Sequence, residues 1–245
     1  MSVLVIAGTD SSGGAGLARD LRTLSELNAR ALCAVTAVTA QSDQGVFALH
    51  LVPAAVVRAQ IEAAFATCRI DAVKIGMLAT ADTVLVVATA LRMHRAVPVV
   101  LDPVLASTSS TALLDQAGRE ALRDLLLPRV TLVTPNLPEA ALLLGMQAAS
   151  TEAQMLAQAQ ALRALGAPAV LIKGGHGEGP EAADLLVSAE GTERLSVARL
   201  KVTCRGTGCA LASAAAAALA AGATLSTACH QAKAYVTTLL RSSAH

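Results

Sequence analysis

Short runs of Val, Ile and Leu alternate along the chain with longer amphipathic segments. Six runs have the length of a strand, at residues 3–7, 31–37, 72–75, 97–101, 130–133 and 169–172. The stretches between them, such as 53–69 and 81–95, carry apolar residues three and four positions apart, as helices with one buried face do. This alternation predicts an α/β fold in which helices cover both faces of a mostly parallel central sheet, a three-layer α/β/α sandwich.

Two patterns near the C-terminus add to this architecture. Residues 184–187 and 194–197, separated by a turn that contains Gly191, predict an antiparallel hairpin near the edge of the sheet. Segments 207–221 and 225–241 predict two closing helices, and the alanine tract in the first favours close helix packing. Because no Pro- or Ser-rich linker divides the 245 residues, we expect a single domain over residues 1–245.

Composition limits the kind of partner. Apolar residues make up 54% of the chain and aromatic residues only 1%, so the core must be built from Ala, Leu and Val. The 19 basic residues are balanced by 18 acidic ones, and no basic run accompanies stacking aromatics. We therefore expect a small-molecule partner and neither nucleic acid nor an anionic membrane.

The cysteines and the apolar stretches bear on the protein's compartment. None of the five cysteines shows the C-x-x-C spacing of a zinc site, which predicts a reduced, cytoplasmic setting. The first apolar run has no basic residue before it and is not typical of a signal peptide. The longest apolar stretch, 210–221, falls short of the roughly 20 residues that a membrane span needs.

Polar motifs follow the predicted strands. Segments 8–16, 76–77, 102, 136–139 and 173–176 come directly after successive apolar runs. In open parallel sheets ligands bind beyond the carboxyl ends of the strands, so these segments are the candidates for chemistry.

A glycine turn at 206–208 precedes Cys209 and the alanine-rich helix. Gly206 and Gly208 can adopt backbone angles closed to other residues, so that amide groups converge beside the positive end of the helix. Phosphate oxygens fit such a site, and its field is expected to lower the pKa of Cys209 toward neutrality. The turn predicts a phosphotransferase with Cys209 as the base, although a small buried thiol at a helix start is the simpler alternative.

Taken together and in order, these motifs resemble the hydroxymethylpyrimidine and phosphomethylpyrimidine kinases of thiamine biosynthesis, a branch of the ribokinase-like kinases. The resemblance covers essentially the whole chain. It is carried by AGTDSSGGAG at 7–16, TAQ at 39–41, KIGML at 74–78, LDPV at 101–104, TPNLPEA at 134–140, KGGH at 173–176 and CRGTGCA at 204–210.

The resemblance implies a ribokinase-like fold and ATP-dependent phosphorylation of hydroxymethylpyrimidine and of its monophosphate, with Mg²⁺. It implies that the pyrimidine is lined by Gly8, Ala15, Asp20, Gln41, Met77 and Val104. The nucleotide would contact Asn136, Lys173, Thr207 and Gly208, and Mg²⁺ would be held by Asp102 and Glu139. Catalysis would fall to Cys209, with Gly206, Gly208 and Lys173 stabilising the transferred group. Helices rich in Ala and Leu favour a homodimer.

Other readings of these residues stay open. Asn136 and Glu139 can form a capping pair at a helix start, Thr207 can cap the last long helix, and Lys173 can be a surface lysine at a strand end. Pyridoxal kinase is the nearest alternative enzyme, because relatives with the same cysteine turn phosphorylate that hydroxymethylated pyridine. A pyrimidine-binding sensor without turnover is the alternative from another class.

The chain departs from the family pattern around the predicted substrate site. Arg205 stands where His is usual, Ala210 where Thr is usual and Ala18 where Gln is usual. The flap at 106–111 lacks the usual lysine and glycine. We therefore expect the second phosphorylation to be slower than the first, with Arg205 either supplying the missing positive charge or closing a surface ion pair.

Overall fold

The computed structural model describes residues 1–106, 112–175 and 179–243. The strands are β1 (Ser2–Ala7), β2 (Arg30–Val35), β3 (Ala37–Ser42), β4 (Gly45–Leu51), β5 (Ala72–Ile75), β6 (Val99–Leu101), β7 (Leu132–Val133), β8 (Val170–Ile172), β9 (Glu181–Ser188) and β10 (Gly191–Ala198). The helices are α1 (Gly16–Glu26), α2 (Ala54–Thr67), α3 (Ala81–Leu91), α4 (Gln116–Ala121), α5 (Leu137–Leu144), α6 (Glu152–Ala164), α7 (Thr207–Ala220) and α8 (Leu225–Ser242).

An eight-stranded sheet in the order β10-β9-β8-β7-β6-β5-β1-β2 forms the centre of the molecule. In this sheet the six strands β2, β1, β5, β6, β7 and β8 run parallel to one another. Strands β9 and β10 form a hairpin at one edge, and β9 pairs antiparallel with β8. The predicted strands and hairpin are thereby confirmed, except that the strand predicted at 31–37 ends at Val35 and Ala37 already belongs to β3. The predicted strand at 97–101 begins only at Val99, in keeping with Pro98, which has no N–H to donate to a neighbouring strand.

Both faces of the sheet are covered, because alternate residues of a strand point to opposite sides. Val3 and Val5 of β1 pack with α1, α7 and α8, whereas Leu4 and Ile6 pack with α2, α3, α5 and α6. The three-layer α/β/α sandwich predicted from the apolar pattern is therefore observed. None of the described helices is long and apolar enough to cross a membrane.

Helix α7 is the innermost helix. Its residues from Cys209 to Ala218 are all buried, since their small side chains let α1, α8 and the sheet approach closely. The prediction that the alanine tract packs closely is confirmed. The N-terminus of α7 lies at the carboxyl edge of the sheet, where the predicted chemistry is located.

A second, two-stranded sheet was not predicted. Strands β3 and β4 pair antiparallel, with a shift in register between Ala40 and Gln41. Strand β4 is exposed or half-buried throughout although it contains the apolar run VFAL, and β3 buries Thr39 while it exposes Val38, so apolar residues do not mark the buried positions of this hairpin. This hairpin, residues 37–51, carries Gln41 toward the loop that follows β1.

Candidate active site

Three predicted residues from distant parts of the chain meet at the carboxyl edge of the sheet. Asp102 follows β6 and Lys173 follows β8, and the Lys173 ammonium donates to Asp102 Oδ1 at 2.7 Å. A side chain on Gly208 would place its Cβ 2.9 Å from the same ammonium group. A side chain at position 208 would therefore displace the Lys173 ammonium, and the first turn of α7 lies directly against the Lys173–Asp102 ion pair.

Glu139 joins this cluster from the start of α5. The backbone N–H of Asn136 donates to Glu139 Oε2 at 2.8 Å, and the backbone N–H of Glu139 donates to the Asn136 side-chain Oδ1 at 2.8 Å. The capping pair considered from the sequence is thus present. Lys173 Nζ lies 3.8 Å from Glu139 Oε2, so the cap also holds the carboxylate beside the Lys173 ammonium.

The two carboxylates of the cluster differ in their charge state. Burial acts to raise the pKa of Asp102, but the ammonium groups of Lys173 and Lys74 outweigh it and hold that pKa below its ordinary value. Burial raises the pKa of Glu139 to about 7, with Lys173 opposing the rise and Asp102 adding to it. When Glu139 is ionised, its carboxylate, that of Asp102 and the Lys173 ammonium sum to a charge of −1, which an additional cation would balance.

The resemblance noted in the sequence predicts Mg²⁺ at Asp102 and Glu139. Within the described residues, no three His, Cys, Asp or Glu side chains are grouped to hold a metal ion. Magnesium, however, keeps several waters and is commonly held by one or two carboxylates together with substrate phosphates. Glu139 Oε1 makes no hydrogen bond or ion pair with any described residue, so the chemistry of the Asp102 and Glu139 pair fits a hydrated Mg²⁺.

The glycine turn differs in detail from the prediction. Gly206 is the N-cap residue of α7 and has a left-handed backbone with φ of 73°, and its Cα lies against the carbonyl of Gly14. The prediction that Thr207 caps the helix is wrong, because Thr207 is already the first helical residue. Gly208 does not have a left-handed backbone, and a side chain there would meet the end of the Lys173 side chain rather than backbone.

Cys209 is buried in the first turn of α7. Burial raises the pKa of its thiol to about 12, although the ammonium group of Lys74 and a hydrogen bond from the Gly16 backbone oppose the rise. The expected lowering toward neutrality is therefore wrong for this state of the protein. The reason is that the loss of solvation, together with the nearby Asp20 and Asp102 carboxylates, outweighs the Lys74 ammonium and the Gly16 hydrogen bond.

The loop at residues 8–16 is shaped by Asp10. Its Oδ2 accepts a hydrogen bond from the Ala15 amide at 2.9 Å, and its Oδ1 accepts one from the Ser12 amide at 2.9 Å. Ala15 is the N-cap residue of α1, and Gly16 has a left-handed φ of 54° that brings it against the carbonyl of Gly8. The loop therefore packs against both the glycine turn and the thiol.

Part of the predicted pyrimidine pocket forms an apolar cluster of its own. Met77 and Val104 pack with Leu113, Ala37 and Ala79, apart from the two main cores. Met77 Sδ would lie 3.1 Å from a Cβ on Gly8, so Gly8 and Met77 are in contact. Leu113 was missed from the sequence, because no motif marks it and only the tertiary fold brings it to this cluster.

Gln41 lies beside the loop that follows β1. Its backbone amide donates to Ser11 Oγ at 2.8 Å, and Ser11 donates back to its carbonyl at 2.9 Å. Thr39 donates to Gln41 Oε1 at 3.3 Å. The amide nitrogen of the Gln41 side chain makes no hydrogen bond with a described residue, which leaves a donor for a ligand.

Asp20 does not reach an open surface. It is fully buried, accepts from Lys74 Nζ at 2.7 Å and from Ser213 Oγ at 2.8 Å, and so cannot contact a pyrimidine directly in this structure. The predicted lining of the pyrimidine by Asp20 is therefore not seen in this structure, in which its partner Lys74 is fully buried as well. A lysine inside the short apolar run at 72–75 was the one signal in the sequence for this buried pair.

Arg205 forms ion pairs with two carboxylates, Asp43 at 2.7 Å and Asp10 at 3.1 Å. The alternative that it closes an ion pair therefore describes this structure. Cys204, which also precedes the turn, donates a weak hydrogen bond to the Arg205 carbonyl. The flap residues 107–111 and His176 of the predicted KGGH motif lie outside the described residues.

Comparison with known sequences identifies the family. The profile that describes phosphomethylpyrimidine kinases matches residues 10–245. The chain belongs to the phosphomethylpyrimidine kinase family. It is similar to a hydroxymethylpyrimidine/phosphomethylpyrimidine kinase from Salmonella typhimurium, at 47% identity over 89% of this chain and 82% of the relative.

Solved structures agree with this membership. A phosphomethylpyrimidine kinase from Clostridium difficile is similar at a TM-score of 0.85 and 35% identity, covering 98% of this chain and 99% of that one. A pyridoxal kinase from Staphylococcus aureus in complex with pyridoxal is similar at a TM-score of 0.90 and 32% identity, covering 98% and 87%. The predicted family, ribokinase-like fold and kinase function are confirmed; the roles of individual site residues remain predictions.

Proposed function

We propose that the protein transfers the γ-phosphoryl group of ATP to the hydroxymethyl group of hydroxymethylpyrimidine, and more slowly to the resulting monophosphate, in thiamine biosynthesis. The observation that carries this proposal is the meeting of Lys173, Asp102 and the first turn of α7 beside Cys209. This arrangement supplies the positive charge and the backbone amides that phosphoryl transfer requires.

The apolar cluster with Met77 and Val104 serves as the floor for the pyrimidine ring, next to Gly8 and Ala15. Gln41 suits the edge of an aminopyrimidine, because its amide offers a donor and an acceptor. With the ring there, the hydroxymethyl group points toward Cys209. Binding energy from this floor is then used to align the hydroxyl with the nucleotide.

Transfer begins when the substrate oxygen attacks the γ-phosphorus of ATP. A new P–O bond forms, the bond to the β,γ-bridging oxygen breaks, and ADP leaves. The amides of residues 206–209 and the Lys173 ammonium stabilise the charge on the transferred group, while Asn136 and Thr207 contact the nucleotide. Cys209 receives the hydroxyl proton, which requires the thiolate.

Mg²⁺ bound at Asp102 and Glu139, with retained waters, would neutralise nucleotide phosphate charge. A pKa of about 12 keeps Cys209 protonated at neutral pH in the protein alone, and bound cations favour the thiolate. The Lys74 ammonium already opposes the effect of burial on the pKa of Cys209. We therefore assign proton acceptance to the complex with substrate and nucleotide rather than to the free protein.

Pyridoxal phosphorylation is the second candidate, and the similarity to a pyridoxal kinase solved with pyridoxal favours it. The two activities are separated by following ADP formation with hydroxymethylpyrimidine, its monophosphate and pyridoxal side by side. We expect the highest kcat/KM with hydroxymethylpyrimidine. A higher kcat/KM with pyridoxal would overturn the proposed substrate, and tight binding without turnover of any of the three would favour the sensor alternative.

We further propose a cytoplasmic homodimer. The cysteines of the structure are all free, as in a reducing compartment.

The Ala-rich helix α7, one basis of the expected dimer, is buried within the subunit, so the dimer must form elsewhere. Strand β4 exposes Phe47, Leu49 and Leu51, with Phe47 67% exposed, and a second copy can cover them. Light scattering of wild type and Phe47→Ser tests this, and a monomeric wild type would contradict it.

A further inference from the structure

The guanidinium group of Arg205 ties together three segments around the proposed substrate site. Its Nη2 donates to Asp10 Oδ2 at 3.1 Å, and its Nη1 donates to Ser12 Oγ at 2.9 Å and to Asp43 Oδ1 at 2.7 Å. Asp10 and Ser12 belong to the loop after β1, and Asp43 belongs to the turn between β3 and β4. We call Asp10, Ser12, Asp43 and Arg205 the arginine clasp.

The two carboxylates of the arginine clasp are not equivalent. The Asp10 side chain is 2% exposed and also accepts hydrogen bonds from the amide groups of Ser12 and Ala15, so it shapes the loop whether or not Arg205 is present. The Asp43 side chain is 86% exposed, and Arg205 is its one partner among the described residues. Asp43 is therefore the carboxylate that another anion can replace.

The arginine clasp lies next to the glycine turn. Arg205 directly precedes Gly206, and its Nη1 would lie 3.3 Å from a Cβ on Gly14, whose carbonyl contacts Gly206. With one guanidinium and two carboxylates, the clasp carries a formal charge of −1. A negatively charged substrate group that approaches the glycine turn is repelled by this charge as long as Asp43 stays bound to Arg205.

We infer that Asp43 is a specificity-determining residue whose carboxylate occupies the place on Arg205 that the phosphate of the pyrimidine monophosphate takes. The inference rests on the proposed function. A guanidinium fork binds the oxygens of phosphate in a bidentate manner, and exchange for an exposed carboxylate costs little because such surface ion pairs are weak. Asp10 remains bound throughout and keeps Arg205 oriented.

The exchange places the phosphate of the pyrimidine monophosphate on Arg205, next to the glycine turn, where the second transfer takes place. An oxygen of the bound phosphate then attacks the γ-phosphorus of ATP, the bond to the β,γ-bridging oxygen breaks, and the products are the diphosphate ester and ADP. Competition from Asp43 slows this step relative to phosphorylation of the uncharged alcohol. The chain thus discriminates between its two substrates by one exposed carboxylate.

The test compares kcat/KM for the monophosphate with kcat/KM for hydroxymethylpyrimidine in wild type, Asp43→Asn and Asp43→Asn/Arg205→Ala. We expect the ratio to rise about three- to tenfold in Asp43→Asn, mainly through a lower KM for the monophosphate. The rise should vanish in the double variant. The matched control is Asp124→Asn, which removes an exposed carboxylate bound to Arg123 at 3.1 Å and should leave the ratio unchanged.

Calorimetric titration of the monophosphate without ATP gives a second measurement that needs no turnover. Asp43→Asn should lower its Kd by about the same factor. An unchanged or lower ratio in Asp43→Asn, a rise that persists without Arg205, or failure of either protein to bind the monophosphate overturns the inference. A wild type that phosphorylates neither pyrimidine overturns the proposed function instead, and the calorimetric comparison then still decides the exchange.

Discussion

Glu139→Gln tests the charge balance of the site most directly. The substitution keeps the shape of the side chain and an oxygen that can accept the hydrogen bond from the Asn136 amide, so the capping box of α5 is retained. It removes a carboxylate that is only 8% exposed and lies near Asp102. The variant should therefore isolate the cost of holding this charge in the folded protein.

The expected magnitude follows from the pKa. Burial raises the pKa of Glu139 from 4.5 to about 7, which at about 1.4 kcal/mol per pH unit corresponds to about 3 kcal/mol of destabilisation when the group is ionised in both states. Above pH 7 Glu139 carries this full cost. Between pH 7 and 4.5 the folded state holds a proton that the unfolded state lacks, so the cost falls as the pH is lowered, and it vanishes below 4.5.

Glu139→Gln should accordingly be more stable than wild type at pH 8, by on the order of 1–3 kcal/mol, and equal to it near pH 4.5. Urea unfolding of both proteins across this pH range, without nucleotide or divalent cation, measures the difference. Glu120→Gln on the exposed side of α4 is the control and should change stability by less than about 0.5 kcal/mol. A destabilised variant at pH 8, or a difference that does not change with pH, would refute the reasoning.

The same variant reports on the proposed magnesium site. Loss of the Glu139 carboxylate should raise the Mg²⁺ concentration needed for half-maximal activity, even though the protein is more stable. An unchanged Mg²⁺ requirement would remove Glu139 from the metal site while leaving the stability prediction intact.

Three further predictions concern the thiol, the pocket rim and the buried ion pair. Cys209→Ala should lower kcat about 10²–10⁴-fold and Cys204→Ala should not; equal rates in single-turnover measurements would remove the proposed base. Gln41→Leu should raise KM for the pyrimidine by the equivalent of about 1–3 kcal/mol at unchanged KM for ATP, and weaker ATP binding would contradict its position at the pyrimidine. Lys74→Met should destabilise the fold by about 3–5 kcal/mol in urea unfolding, because it leaves the buried Asp20 carboxylate without its partner. Asp20→Asn/Lys74→Met should destabilise it by clearly less. An unchanged stability of Lys74→Met would mean that the pair is not buried and charged.

The arrangement of the core could be predicted because its signals are local. The run at 3–7 is apolar throughout, which is typical of a strand buried on both faces, and the run at 72–75 is interrupted only by Lys74. The alternation with amphipathic segments then predicts parallel strands, and the position of Asp102 and Lys173 after such runs predicts that they meet at one edge. Strands β3 and β4 were not predicted, because polarity does not follow burial there: Thr39 is buried, whereas Val38 and Phe47 are exposed.

The electrostatics of the site could not be predicted in this way. The thiol of Cys209 stands at a helix N-terminus, as the sequence indicates, yet its pKa is raised because burial and the carboxylates of Asp20 and Asp102 come from other segments. The pairing of Asp20 with Lys74 joins residues 54 positions apart, and that of Arg205 with Asp43 joins residues 162 apart.

The sequence by itself therefore determined which residue types stand at the ends of which strands, and with them the family and the class of reaction. The tertiary structure decided which of these groups are charged, which are already bonded within the protein and which remain open to a ligand. The physical reason is that secondary structure depends on neighbours along the chain, whereas solvation and Coulomb interactions depend on all groups nearby in space.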